Sequence, residues 1–219
     1  GLGEDSFAFG RDSKARKNRS IAFGKETLTD GLNAIAFGER AQAYSVNSVS
    51  IASGAKSKGE QALAFGNKSN SNGKDSIAIG TKAMVGEDIK PGPDKGMANY
   101  GTALGGYSNV NANGGTTIGS FTTVNNEGGV ALGIDSIADV AGGKAGAKQT
   151  YSAYNSKKAG AFTSTNTYNG NMRTGVAPRN NLKAGAVSVG KADGSFTRQI
   201  VGLAAGTEDT DAVNVAQLK

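Results

Sequence analysis

The apolar positions of this chain recur in short alternating stretches rather than in helical stripes. SFAFG stands at 6–10, SIAFG at 20–24, AIAFG at 34–38, ALAFG at 62–66 and SIAIG at 76–80. With the closing glycine as a ruler, the copies fall at Gly10, Gly24, Gly38, Gly54, Gly66, Gly80, Gly105, Gly119, Gly133 and Gly190. The steps are 14, 14, 16, 12, 14, 25, 14, 14 and 57; the 16 and the 12 offset each other, and the period is 14. Three positions before the glycine stand Phe7, Ile21, Ile35, Ile51, Leu63, Ile77, Thr102, Thr116, Val130 and Val187. One position before it stand Phe9, Phe23, Phe37, Ser53, Phe65, Ile79, Leu104, Ile118, Leu132 and Val189. The residue between them is small, and alanine in most copies. Large, small, large is the period of a strand.

Three and five residues after the glycine comes a second alternating stretch with a small-residue face, as in Thr27 and Thr29 or Ala41 and Ala43. Each unit therefore predicts two short strands, with glycine at the corner because it enters backbone regions other residues avoid. Fourteen is also two heptads. A recurring glycine and β-branched neighbours nevertheless argue against helix. The expected fold is all-β, a parallel solenoid of about nine or ten turns. In this reading Ile21, Phe23, Ile35, Phe37, Leu63, Phe65, Ile77 and Ile79 form the core and build the oligomer. The alanine between each bulky pair offers a flat face to another copy, and an aspartate at Ile77 would bury a charge in the coil.

Composition narrows the chemistry. The 219 residues include 34 glycines and no histidine, cysteine or tryptophan. No histidine base, Ser-His-Asp triad, thiolate nucleophile or His/Cys zinc site can be built. GTALGG at 101–106 lacks the following GK[ST] of a phosphate loop. Solenoid acyltransferases run on a different period, so the expectation is no enzyme and no cofactor. The chain opens on Gly1 without a methionine or leader, and is read as a segment of something longer whose anchor lies elsewhere.

The last residues change pattern. Asp209 or Thr210 suits a helix cap, and Val213, Ala216 and Leu218 approach an a/d spacing. The segment Arg198-Gln199-Ile200, Ala204-Ala205-Gly206 and Thr210-Asp211-Ala212-Val213-Asn214-Val215-Ala216-Gln217-Leu218 resembles the neck of trimeric autotransporter adhesins. The SIAFG-type repeats resemble that family's YadA-like head. The resemblance implies a left-handed parallel β-roll, a homotrimer, and a neck where chains cross between subunits. Arg198, Gln199, Ile200, Asp211, Val213, Asn214, Gln217 and Leu218 are its neck positions. It divides the chain into a head, 1–190, and a neck with the start of a coiled-coil stalk, 191–219. It further implies display at the bacterial cell surface, with an outer-membrane anchor outside this segment. The function it implies is attachment to a host extracellular matrix protein or host-cell surface glycoprotein; the alternative is a passive trimeric spacer that displays a more distal domain.

Two stretches interrupt the repeat, about 81–100 and 139–186. The first carries PGP at 91–93, which forbids ladder pairing and predicts a protruding loop. Its Glu87, Asp88 and Asp94 lack any calcium-loop spacing. From Val140 to Gly190 the second holds seven of the chain's 24 basic residues and none of its 18 acidic ones, so the rest is close to neutral. Lys144, Lys148, Lys157 and Lys158 interleave there with Tyr151, Tyr154 and Tyr168. With Lys90, Asp94 and Tyr100 of the first stretch, these are the candidate partner-binding residues, suited to an anionic partner such as a sulfated glycan, an acidic protein patch or a nucleic acid. A smaller cluster, Arg11, Lys14, Arg16, Lys17 and Arg19, reads as a polar edge.

Overall fold

The computed structural model describes residues 2–86, 98–141 and 185–205. Nineteen short strands among them form two parallel sheets that share one coil. The first sheet has ten strands, from Phe7–Phe9 to Val187–Ser188, and the second has nine, from Lys14–Ala15 to Ile137–Ala138. Each strand pairs in parallel with its counterpart one turn away, as in Ile21↔Ile35 and Leu28↔Gln42. The chain is a parallel β-solenoid of about nine turns, rising about 4.8 Å per turn.

The backbone turns at left-handed corners. One follows every seventh residue, for example Asp5, Asp12, Arg19, Glu26, Asn33, Arg40 and Asn47, with φ between 52° and 59°. The seven-residue period hidden in the repeat thus belongs to corners and not to a helix; each unit is two half-turns. Glycine is needed elsewhere, directly after the first-sheet strand. Gly24 has φ 131°, and a Cβ there would lie 2.7 Å from the Gly38 carbonyl oxygen.

The fourth turn corrects the sequence reading. Phe37 pairs with Ile51 and Ile51 with Phe65, so the glycine position is held by Ala52, at φ 96°. Gly54 is the left-handed corner two residues on, at φ 69°. Steps of 16 and 12 become two of 14, and Val49 and Ile51, not Ile51 and Ser53, face outward. Ladder hydrogen bonding keeps every uninterrupted turn the same length, and alanine is small enough to tolerate the strained corner.

Both interruptions leave the coil at the same corner, between a second-sheet strand and the next first-sheet strand. Val85 pairs with Val110, and Ile77 with Thr102, so the coil continues in register between Gly86 and Ala98. Val130 likewise pairs with Val187, and Ala186 N–H donates to Val140 O at 3.0 Å.

The interior is narrow and filled with small side chains. Ala22, Ala36, Ala64, Ala78, Ala103, Thr117 and Ala131 are buried from the first sheet, and Thr29, Ala43, Ser57, Ser71, Val85, Val110 and Val124 from the second. Buried hydroxyls pair with one another: Thr29 donates to Ser20 (3.0 Å), and Ser50–Ser57 and Ser71–Ser76 stand 2.7 and 2.6 Å apart. Where valine enters, glycine faces it. A Cβ on Gly115 would lie 2.8 Å from Cγ1 of both Val110 and Val124, so large and small residues interlock across the coil.

Candidate adhesive surface

The bulky residues lie outside the coil. This reverses the expectation that Ile21, Phe23, Ile35, Phe37, Leu63, Phe65, Ile77 and Ile79 form the core of the coil. Within a single chain none of them is buried, and Phe37 and Phe65 are 49% and 48% exposed. The alanines between them take the interior, because two sheets that close within seven residues of each other leave no room for side chains as large as phenylalanine or isoleucine. An aspartate at Ile77 would therefore face solvent on the isolated chain.

The outward face of the first sheet is consequently one apolar surface running the length of the coil. Phe9, Phe23 and Phe37 stack along it with ring centroids 5.0 and 4.8 Å apart. Ile118 and Val187 continue it, 48% and 68% exposed. A patch of ten strands exceeds what soluble monomers leave open. The other outward face is polar. Asn111 donates to Asn125 at 2.8 Å, and Tyr44 to Gln42 at 2.8 Å.

Ion pairs knit neighbouring turns at the corners. Arg40 Nε donates to Glu26 at 2.7 Å, Arg11 lies 3.8 Å from the same carboxylate, and Arg16 lies 3.7 Å from Asp30. Part of the early basic cluster is thus the polar edge the sequence suggested. The Arg40 hydrogen bond, helped by the charges of Arg40 and Lys25, holds the Glu26 carboxyl below its ordinary range. The Glu60 carboxylate, hydrogen-bonded to Lys74, raises that ammonium.

Of the partner-binding candidates, only Tyr100 lies among the described residues. It stands exposed at a left-handed corner, and its N–H donates to Lys74 O at 2.8 Å. Lys90, Asp94, Lys144, Lys148, Tyr151, Tyr154, Lys157, Lys158 and Tyr168 lie outside the described residues, as do Asp211, Val213, Asn214, Gln217 and Leu218 of the neck. Arg198 has a definite place. Its guanidinium donates to Ser136 Oγ (2.9 Å), Val189 O (2.6 Å) and Ile134 O, and covers the Phe196 ring at 4.5 Å. Gln199 and Ile200 follow on the surface. Arg198 borders an open cavity of about 350 Å³ at the end of the coil, lined also by Ile137, Val187 and Val189. Sequence reasoning named Arg198 but not this clamp. Among the described residues there is no acidic cluster suited to a metal ion and no helix long and apolar enough to cross a membrane.

The YadA head domain repeat matches residues 2–27, 30–57 and 57–83, and the coiled stalk of trimeric autotransporter adhesins matches 199–219. Over these residues the chain carries the head repeat and the stalk segment found in trimeric autotransporter adhesins. A segment of 35 residues (16% of this chain) is 77% identical to the autotransporter adhesin BadA of Bartonella henselae. One of 41 residues (19% of this chain) is 56% identical to the trimeric autotransporter adhesin AtaA of Acinetobacter sp. (strain Tol 5). Each match spans about 1% of the relative's own length. The crystal structure of the collagen-binding domain of the Yersinia adhesin YadA is similar over 99% of this chain and 82% of that one, with 27% identity and a TM-score of 0.52.

Proposed function

We propose that this chain is the adhesive head of a homotrimeric surface protein, attaching a bacterium to a host extracellular matrix protein or a host-cell surface glycoprotein. The observation that carries the reading is the ten-strand apolar face outside a fully packed coil. Burying it against two further copies would leave the polar sheet outward, repeated three times, and would convert weak contacts into avidity. The head extends over 1–190 and hands over at 191–219 to the neck and stalk. The chain acts by binding and not by catalysis, and an outer-membrane anchor outside these residues holds it at the cell surface. A collagen-type fibrous protein is the first partner to try, by likeness to the YadA domain. The basic, tyrosine-bearing insertion and Tyr100 are the proposed contact regions.

The test combines light-scattering mass with a matrix and host-receptor binding array on one sample. A mass of three chains together with saturable binding to one matrix protein or receptor is expected. A trimer that binds nothing on the array would favour the spacer, and a monomer would remove the basis of the proposal.

A further inference from the structure

The corner after each first-sheet strand sets one side chain per turn along a straight outer edge. Its left-handed residues are, turn by turn, Asp12, Glu26, Arg40, Gly54, Lys68, Lys82, Tyr107, Phe121 and Asp135. At the first turns, Arg11 and Arg40 both reach Glu26. The later ones differ. Lys68 lays its stem across Gly54, with Cγ 3.3 Å from where a Cβ would stand. Among the described residues no ion pair joins Lys68 or Lys82 to a carboxylate. Lys82 Nζ lies 4.9 Å over the Tyr107 ring, whose centroid is 5.1 Å from that of Phe121.

Two features set the aromatic pair apart from ordinary surface residues. Tyr107 and Phe121 hold φ of 59° and 58°, a region bulky side chains rarely adopt. Both stand about half exposed on the chain they strain. Beyond their mutual stack and the Lys82 contact their rings stay open to solvent, and strain of this kind points to function.

We propose that Lys68, Lys82, Tyr107 and Phe121 form a docking strip for a sulfated polysaccharide, a reading that rests on the adhesive role proposed above. The strip spans three turn spacings, roughly 14 Å. Sulfates pair with the two ammonium groups, and the apolar C–H face of a sugar ring lies against the exposed part of the Phe121 ring. A peptide strand has no backbone to pair with here: the N–H groups of Lys82, Tyr107 and Phe121 already donate to Asn67, Thr81 and Gly106 of the preceding turn, at 2.9, 2.8 and 3.0 Å. A single-stranded nucleic acid would need a row of open ring faces, and Tyr107, between Phe121 and Lys82, offers none.

Heparin is the probe, tested by titration against the full chain and three variants. Lys68→Ala/Lys82→Ala should weaken binding roughly tenfold at low salt, and the difference should shrink as salt rises. Tyr107→Asn/Phe121→Asn should weaken binding several-fold while raising Tm, since asparagine is at home in the left-handed region. Neutralising Lys144, Lys148, Lys157 and Lys158 together should leave the strip's contribution in place. The proposal is overturned if both strip variants bind like the parent, or if the asparagine variant melts earlier or changes mass, which would make the rings structural. Matrix binding is read on the same samples. A parent that binds matrix but not heparin sinks the strip alone; one that binds heparin but no matrix protein or receptor keeps the strip and sinks the proposed partner class.

Discussion

The turns before Gly86 and those from Ala98 to Val140 share one backbone and fill it differently. In the first region the interior is alanine, serine and threonine until Val85 in its last turn, with hydroxyls satisfied inside the coil by Ser20–Thr29, Ser50–Ser57 and Ser71–Ser76. The second region replaces these pairs by Val110 and Val124 against Gly115 and Gly129. Outside, the first region carries the phenylalanine ladder and charged corners, whereas the second carries Thr102 and Thr116 and the aromatic corners. The head-repeat family matches only the first, residues 2–83. The ladder of parallel hydrogen bonds runs through both. A side-chain pattern can therefore fade while the coil persists, because the coil requires complementary volume per turn and not a given residue.

The outer face separates the regions most strongly. Phe37→Asp with Phe65→Asp is expected to reduce the mass from three chains to one, while the far-ultraviolet circular dichroism of the coil stays; both residues are exposed on one chain and a charge there would have to be buried only in the oligomer. An unchanged mass would show that this face is not the interface. Next in size, Gly115→Ala should destabilise the second region by about 1–3 kcal/mol, since its Cβ meets two valine methyls. Val124→Ala in the same chain should recover part of that loss in a denaturant titration, and a purely additive double variant would argue against interlocking. Thr117 brings an orphan hydroxyl into the second region, buried without a partner. Thr117→Val should raise stability by about 1 kcal/mol, against a loss for Thr29→Val, whose hydroxyl is bonded.

The smallest effect concerns the charged corners. The Glu26 carboxyl is held below its ordinary value of 4.5, first by the Arg40 hydrogen bond. A depressed carboxylate contributes stability above its unfolded pKa and loses it as pH falls through the lowered folded value. The melting difference between the parent and Glu26→Gln should therefore be present at neutral pH and vanish only in acid below 4.5. It should also be small, because the pair is solvent-exposed. A difference that grows on acidification would contradict the assignment.

Much of the architecture was legible in the spacing. The step of 14, the two strands per unit and the resumption of the coil at Val187 can all be counted along the chain. The fourth turn was misread because Gly54 imitates the motif glycine; only pairing Phe37 with Ile51 reveals Ala52 in that place. The aromatic corners escaped notice because Tyr107 and Phe121 are unremarkable as letters. Their fourteen-residue step to Asp135 could have marked them, but their left-handed backbone is a property of the folded corner.

Periodicity alone determined that the chain coils and how many residues each turn takes, since a ladder in register demands equal turns. Alternation also established that large and small residues face opposite ways. It could not say which way is in, because the pattern is symmetric under exchange of the two faces. The tertiary structure decided that by the width of the coil. Two strands joined by corners every seven residues enclose space for alanine, serine, threonine or valine, and the phenylalanines must turn outward.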